Sequence, residues 1–298
     1  NNGELPPYDA VRVEEFVNYF DPGYPQSDEI FAIYADGAPS PFTTGETLLR
    51  VGIQGYNVSK WDRKPVSLTF VIDKSGSMAE DNRIGLVQDA LNMLVDQLGP
   101  EDSIAIIAFD TRAYLILEPT SARHASVIKN AINRLSADGT TNLEGGLELG
   151  YQPAWSVFDP QKVNRVVLCS DGVANTGETS WNRILDQVDA YVNQGITLTT
   201  IGVGMGNFND VLLEQLSDHG DGIYAYVDTN EEARRVFVDD LTSSMQVIAR
   251  DAKVQVDFNP DAVLEYRLLG YENRQVADQD FRDDIPVDDE ILKNVGEA

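Results

Sequence analysis

Cysteine is almost missing from this chain: Cys169 is the only one in 298 residues. A lone cysteine permits no internal disulfide, so a disulfide scaffold and a multi-cysteine metal site are both excluded. Cys169 ends the apolar run Val166-Val167-Leu168-Cys169, which suits a small buried side chain. Histidine is nearly as scarce, with His124 at a helix start and His219 in an Asp-Gly loop, and surface roles are expected for both. No apolar stretch reaches membrane-spanning length, so direct membrane insertion is not expected. Positive charge is short as well. Lys and Arg number 22 against 49 Asp and Glu, a net charge of −27. Such a field repels phosphate backbones and anionic lipid heads, which argues against nucleic-acid binding. There is no P-loop and no G-x-S-x-G elbow, and Gly202-Val203-Gly204-Met205-Gly206 lacks the spacing of a dinucleotide cradle. The chain opens Asn1-Asn2-Gly3 without Met, so a processed form is expected, with any signal peptide or lipid anchor upstream of residue 1.

What is present is organised in three stretches. Residues 1–46 are rich in Pro, Gly and aromatics, and read as an irregular arm with one short helix over Val11–Phe20, stopped at Asp21-Pro22-Gly23. A strand is predicted over Thr47–Ile53. From Val66 the pattern changes to short apolar strands alternating with amphipathic helices. Strands are predicted at Val66–Ile72, Ile104–Phe109, Val163–Cys169, Ile196–Val203 and Gly222–Val227. The predicted helices are Leu86–Leu98, Val127–Leu135, Leu143–Val157, Trp181–Val192, Phe208–Leu216 and a long Glu231–Ile248. This alternation predicts a doubly wound α/β domain over 66–250, a mostly parallel sheet with helices on both faces. After Arg250 it stops. Lys253–Phe258 and Val263–Gly270 look like half-exposed strands, and the tail Asp278–Asp289 holds six acids. Segments 47–60 and 251–298 are therefore expected to form a small β-sandwich-like domain flanking the α/β unit, incomplete at Ala298.

Ligands of open α/β sheets bind beyond the carboxyl ends of the strands, so the loops there carry the chemistry. The first reads Asp73-Lys74-Ser75-Gly76-Ser77-Met78, one carboxylate and two hydroxyls at alternate positions. Oxygen donors without a soft ligand suit a hard cation, Mg²⁺, Ca²⁺ or Mn²⁺, and argue against zinc and copper. The competing reading is a helix cap, since Asp and Ser favour cap positions. Two more loops weigh against the cap, Asp138-Gly139-Thr140-Thr141-Asn142 and Ser170-Asp171-Gly172, both expected on the same sheet edge. Asp110, after another strand, is either a turn residue or a supporting one.

This constellation resembles the von Willebrand factor type A domain, also called the integrin I domain, with its metal-ion-dependent adhesion site. The likeness rests on Asp-x-Ser-x-Ser after a buried strand, Thr141 followed five residues later by Gly146, and Asp171-Gly172 after a later strand; it covers about residues 66–250. The segment Tyr8–Phe20 further resembles the one preceding this domain in a group of bacterial surface and lipoprotein-like members.

The resemblance implies a Rossmann-like doubly wound fold and one six-coordinate divalent ion. It makes Ser75 and Ser77 direct ligands, Thr141 direct or through water, and Asp73 and Asp171 mainly water-mediated. It leaves one position open to an Asp or Glu carboxylate of a protein partner. Ser77-Met78-Ala79-Glu80-Asp81 also resembles the stretch supplying a second Ca²⁺ site in integrin β subunits; the alternative is that Glu80 and Asp81 are ordinary acids of a helix's first turn. In integrin relatives, ligand binding is coupled to a shift of the last helix, here Glu231–Ile248. The leading expectation is an adhesive protein-binding module of the bacterial envelope or surface and not an enzyme, with a cytoplasmic location kept open. The alternatives are an assembly component whose ion is structural, and a Mg²⁺-dependent hydrolase, for which the three loops supply no His as a general base.

Overall fold

A computed structural model describes residues 13–20, 22–25, 27–56, 63–171, 181–204, 210–240 and 254–270. The arm before Val13, Gly172, the Met205–Gly206 part of the glycine run, the closing helix beyond Asp240 and the acidic tail lie outside the described residues. The chain divides into two compact units, one of Asn1–Tyr56 with Ile248–Ala298 and one of Asn57–Val247.

In the first unit, helix α1 (Val13–Asn18) precedes strands β1 (Phe31–Pro39) and β2 (Thr47–Gly55), which pair antiparallel. Their seven-residue connection is closed by the Ser40 N–H donating to the Glu46 carbonyl at 2.9 Å. The pairing sets Asp36 opposite Arg50, and the two form an exposed ion pair at 2.6 Å. This corrects two expectations. Residues 31–39, assigned to the irregular arm, form a strand, and the described residues 254–270 form none. The β-sandwich expected from 47–60 and 251–298 is therefore not formed by the described residues. Residues 254–270 nonetheless fall in the same compact unit as β1 and β2.

The second unit is a six-stranded sheet. Its strands are β3 (Val66–Asp73), β4 (Ser103–Phe109), β5 (Ala113–Ser121), β6 (Val163–Ser170), β7 (Ile196–Val203) and β8 (Tyr224–Val227), in the order β5-β4-β3-β6-β7-β8. All neighbours are parallel except β4 and β5, which pair antiparallel at the edge. The sequence pattern does not reveal β5, whose Tyr114, Leu115 and Ile116 are exposed, as an edge strand tolerates. The helices are α2 (Arg83–Val95), α3 (Ala125–Ile132), α4 (Leu143–Ser156), α5 (Trp181–Val192), α6 (Asp210–His219) and α7 (Asn230–Arg234), the last running on as a π-helical turn over Arg235–Asp240.

Strand β3 is buried at every position, which explains why its sequence is mostly apolar with only Ser67, Thr69 and Asp73 polar. Its alternation splits the core in two. Leu68, Phe70 and Ile72 pack with α2 and α3 residues such as Leu91 and Ile128, and with Val236 and Phe237. Val71 packs on the other face with Leu147 and Tyr151 of α4 and with Val188 and Leu213. At the start of β4, Asp102 gathers four donors: Arg63 Nη1 at 3.0 Å and Nη2 at 2.5 Å, the Val66 N–H at 2.8 Å and the Gly99 N–H at 2.7 Å. It ties the amino-terminal edge of the sheet together. Among the described residues no helix is long and apolar enough to cross a membrane.

Candidate metal centre

The strand order places the site. From β3 the chain runs outward to β4 and β5, then returns to the other side of β3 as β6. The carboxyl ends of β3 and β6 thus flank the point where the winding reverses, where such sheets open a crevice. Asp73 is the last residue of β3, and Asp171 directly follows β6.

Asp73 is fully buried. Its Oδ1 accepts from the Ser75 N–H at 2.8 Å, and its Oδ2 from Ser170 Oγ at 2.7 Å. The chain then turns into a 3-10 segment over Gly76–Asn82. Ser75 stands at the cap position of that segment, yet its side chain makes no cap hydrogen bond. Its hydroxyl lies 3.1 Å from Ser77 Oγ instead. The cap explanation of this motif therefore fails for Ser75, and two neutral hydroxyl oxygens sit side by side above a buried carboxylate.

The loop 138–142 is fastened to this turn. The Gly76 N–H donates to the Gly139 carbonyl at 3.0 Å, and the Asp138 N–H to the Lys74 carbonyl at 2.7 Å. Gly139 has φ +82, a left-handed conformation suited to glycine, and a Cβ there would lie 3.1 Å from Asp110 Cβ. Thr141 is buried, whereas Thr140 is exposed and shares a 3.1 Å hydroxyl contact with Thr111. Next, Asn142 caps α4 by accepting the Gly145 N–H at 3.0 Å.

Gly146 lets α4 come close to the sheet: a Cβ there would stand 2.6 Å from Phe109 Cδ1. Glycine to alanine inside a helix ordinarily stabilises by about 1 kcal/mol. Forced contact in a packed core costs about 1–3 kcal/mol. Gly146→Ala should therefore lower stability on denaturant titration despite its better helix propensity; a rise would show that α4 does not depend on this close approach.

Asp110 is both a turn and a support residue. Its Oδ1 accepts the Arg112 N–H at 2.9 Å, its Oδ2 pairs with Lys74 Nζ, and its carbonyl accepts the Asn142 N–H at 2.8 Å. Burial pushes its carboxyl pKa up, but the Lys74 and Arg112 hydrogen bonds outweigh this and hold it below the usual value.

Arg83, the first residue of α2, is a member of the site that the motifs do not point to. Its Nη1 donates to Asp171 Oδ2 at 2.9 Å and to the Ser77 carbonyl at 3.2 Å, and its Nη2 lies 3.6 Å from Glu80 Oε2. The sequence gives no signal for it, because the predicted helix begins at Leu86 and Arg83 becomes the first residue of α2 only in the structure. A helix amino terminus favours anions, so a cation at its first position is anomalous. Glu80 and Asp81 are exposed, and Asp81 and Asn82 both adopt positive φ, 48° and 56°. Glu80 of the expected second site thus stands beside a guanidinium. His219 lies away from these loops, at the end of α6, with Nδ1 2.9 Å from Asp189 Oδ1.

The donor set fits a hard cation. Burial raises the Asp73 pKa from 3.8 to about 6, offset in part by hydrogen bonds from Ser75 and Ser170, while the nearby Asp171 charge raises it further. A carboxylate held by neutral donors beside a second acid is short of positive charge. Among the described residues no cluster of three or more His, Cys, Asp or Glu occurs, so any ion here must rely on hydroxyls as well as carboxylates. The sign of the pH effect follows. In the ion-free protein, Asp73 takes up its proton more readily folded than unfolded. The associated stability is full below the unfolded value of 3.8 and is lost as pH rises through about 6. Cation affinity should run the other way, strengthening across the same window; titration calorimetry at pH 5 and 7 that gave equal affinities would contradict this.

Comparison with known proteins agrees with this geometry. The model of the von Willebrand factor type A domain matches residues 68–173, from β3 through Asp171. This is a von Willebrand factor type A domain protein. A further model, described as von Willebrand factor, matches residues 1–50 of the chain, and one described as "Uncharacterized protein YfbK, C-terminal" matches residues 243–291. The chain is 39% identical to "Uncharacterized protein YfbK" of Escherichia coli (strain K12), over 95% of the chain and 51% of that protein. It is 29% identical to "Uncharacterized protein sll0103" of Synechocystis, over 76% of the chain and 52% of that protein. It thus spans about half the length of these relatives. Among solved structures, the von Willebrand factor type A protein from Catenulispora acidiphila aligns with TM-score 0.54 and 16% identity, over 75% of this chain and 52% of that one. That likeness shows the fold: a type A domain, doubly wound, with helices on both faces of its sheet.

Proposed function

We propose that this type A domain is a metal-ion-dependent protein-binding module, adhesive in action and without catalytic turnover. The observation that carries the reading is the Ser75–Ser77 hydroxyl pair, 3.1 Å apart, beside the fully buried Asp73 at the switch point of the sheet. Ser75, Ser77 and Thr141 would hold a divalent ion through hydroxyl oxygens, with Asp73 and Asp171 completing the set directly or through water. Mg²⁺ suits such a set because it prefers oxygen ligands and keeps several waters; Ca²⁺ and Mn²⁺ are the alternatives. The bound ion supplies a Lewis-acidic position that accepts an Asp or Glu carboxylate of the partner.

The chain's own residues keep that position electrophilic. The hydroxyls are neutral, and Asp171 already shares its charge with Arg83. An anionic partner is therefore drawn to this one place on a protein of net charge −27. Neither histidine stands in the three loops, so no imidazole base supports hydrolysis there. An envelope or surface setting suits the chain, because the buried Cys169 thiol, its pKa driven up by burial, does not cross-link in an oxidising compartment. Immobilised protein should capture a partner from envelope extracts in millimolar Mg²⁺ and release it in excess chelator. Capture that persists in chelator, or Mg²⁺-dependent turnover of phosphate or ester substrates, would overturn this reading.

A further inference from the structure

The buried guanidinium of Arg83 sits where an adhesion site of this kind has no evident need of one. Arg83 is 8% exposed and its partner Asp171 2% exposed. The pair is built in from three sides. The guanidinium donates to Asp171 Oδ2 and to the Ser77 carbonyl, and it stands 3.6 Å from Glu80. On the far side Gly204, just after the end of β7, has φ +90, and a Cβ there would lie 2.2 Å from Arg83 Nε. The fold therefore clears space for this cation with a residue type that carries no side chain. The position costs something too, since the first turn of α2 disfavours positive charge.

We propose that Arg83 is a built-in counter-cation of the metal centre. Its guanidinium holds Asp171 and fills the space toward Glu80 that a second ion would otherwise take. The centre then accepts a single divalent ion and binds it more weakly than its acids alone would allow. Asp171 is shared between a fixed monovalent charge and the exchangeable ion. The two cations repel, and that repulsion preserves the ion's attraction for an external carboxylate. Arg83 is thus a positioning and charge-setting residue and not itself a ligand. The proposal rests on the reading that Asp73, Ser75, Ser77, Thr141 and Asp171 bind a cation.

The test compares wild type, Arg83→Gln and Arg83→Lys in titration calorimetry with Mg²⁺ and with Ca²⁺, alongside thermal melts with and without each ion. Wild type should bind one ion. Arg83→Gln should melt lower than wild type without ion, bind the ion at least tenfold tighter, and show the larger ion-induced rise in Tm. Arg83→Lys keeps the charge and should stay nearer to wild type than to the Gln variant. A merely structural arginine predicts the lower ion-free Tm without any gain in affinity, and that result overturns the proposal. If Arg83→Gln does not fold without ion, Arg83→Met, which keeps the bulk and removes the charge, takes its place in the same affinity comparison, and an affinity no higher than wild type overturns the proposal. Wild type that binds while Arg83→Gln binds no tighter sinks this inference alone. Absence of binding by both sinks the metal-dependent function with it.

Discussion

Asp73→Asn should abolish divalent-ion binding and at the same time make the ion-free protein more stable at pH 7. Asp73 is fully buried, its two oxygens accept from the Ser75 N–H and Ser170 Oγ, and burial lifts its pKa from 3.8 to about 6. That shift corresponds to about 3 kcal/mol against the charged form in the folded state. Asparagine removes the charge and keeps the shape. Its carbonyl can accept the Ser75 N–H, and the Ser170 hydroxyl can rotate to accept from its amide. Wild type with ion at a hundredfold excess over Kd should gain about 2.7 kcal/mol, or about 5–10 °C in Tm for a domain of this size. The variant should gain nothing. Melting curves with and without Mg²⁺ decide the matter. A variant that stays Mg²⁺-responsive would remove Asp73 from the site, and one less stable than ion-free wild type would show that the buried charge is already balanced. Gain of stability on loss of a functional group is the usual mark of a site held at a cost to the fold.

Asp102→Asn should do the opposite. This second buried aspartate lies at the other edge of the sheet, where Arg63 and the Val66 and Gly99 N–H groups all donate to it. The Arg63 side chain is itself only 11% exposed. Asparagine would turn an amide toward donors that cannot accept, and would leave a guanidinium buried without its counter-charge. Removing one partner of such a pair costs about 3–5 kcal/mol. Urea titration should show that loss, with ion affinity close to wild type in the protein that stays folded. A loss below about 1 kcal/mol, the size typical of an exposed pair, would mean that water reaches Arg63. Two isosteric substitutions of one residue type thus separate the edge of the sheet proposed to bind from the edge that only holds.

The elements built on apolar clusters are legible in the amino-acid order alone. Strands β3, β4, β6 and β7 are almost wholly buried, and short apolar clusters such as Phe70-Val71-Ile72, Ile104–Phe109 and Val166–Cys169 mark them although polar residues also stand in them. Helix α5 matches its sequence assignment at both ends. Edges are harder. Strand β5 exposes Tyr114, Leu115 and Ile116, and β1 exposes Phe31 and Ile33, so neither carries the pattern of a buried element. In the flanking segments, Phe31–Pro39 forms a strand that the sequence places in an irregular arm, and the described residues 254–270 form none of the strands expected there.

For the site, the sequence by itself determined the donor chemistry. Asp73, Ser75 and Ser77 are set two residues apart on a strand-ending turn, Asp171 ends another buried strand, and Thr141 precedes a helix whose Gly146 must be small. Spacing along the chain carries that information because each group lies within a few residues of an element boundary. The tertiary structure alone decided what surrounds those donors. It took the Ser75 hydroxyl away from capping, tied the Thr141 loop to the Ser75 turn through Gly139, pressed Gly146 against Phe109, and swung Arg83 onto Asp171. Arg83 and Asp171 are 88 residues apart. No local periodicity links positions so distant; only the packing of α2 beside the end of β6 places a fixed positive charge at the candidate metal centre.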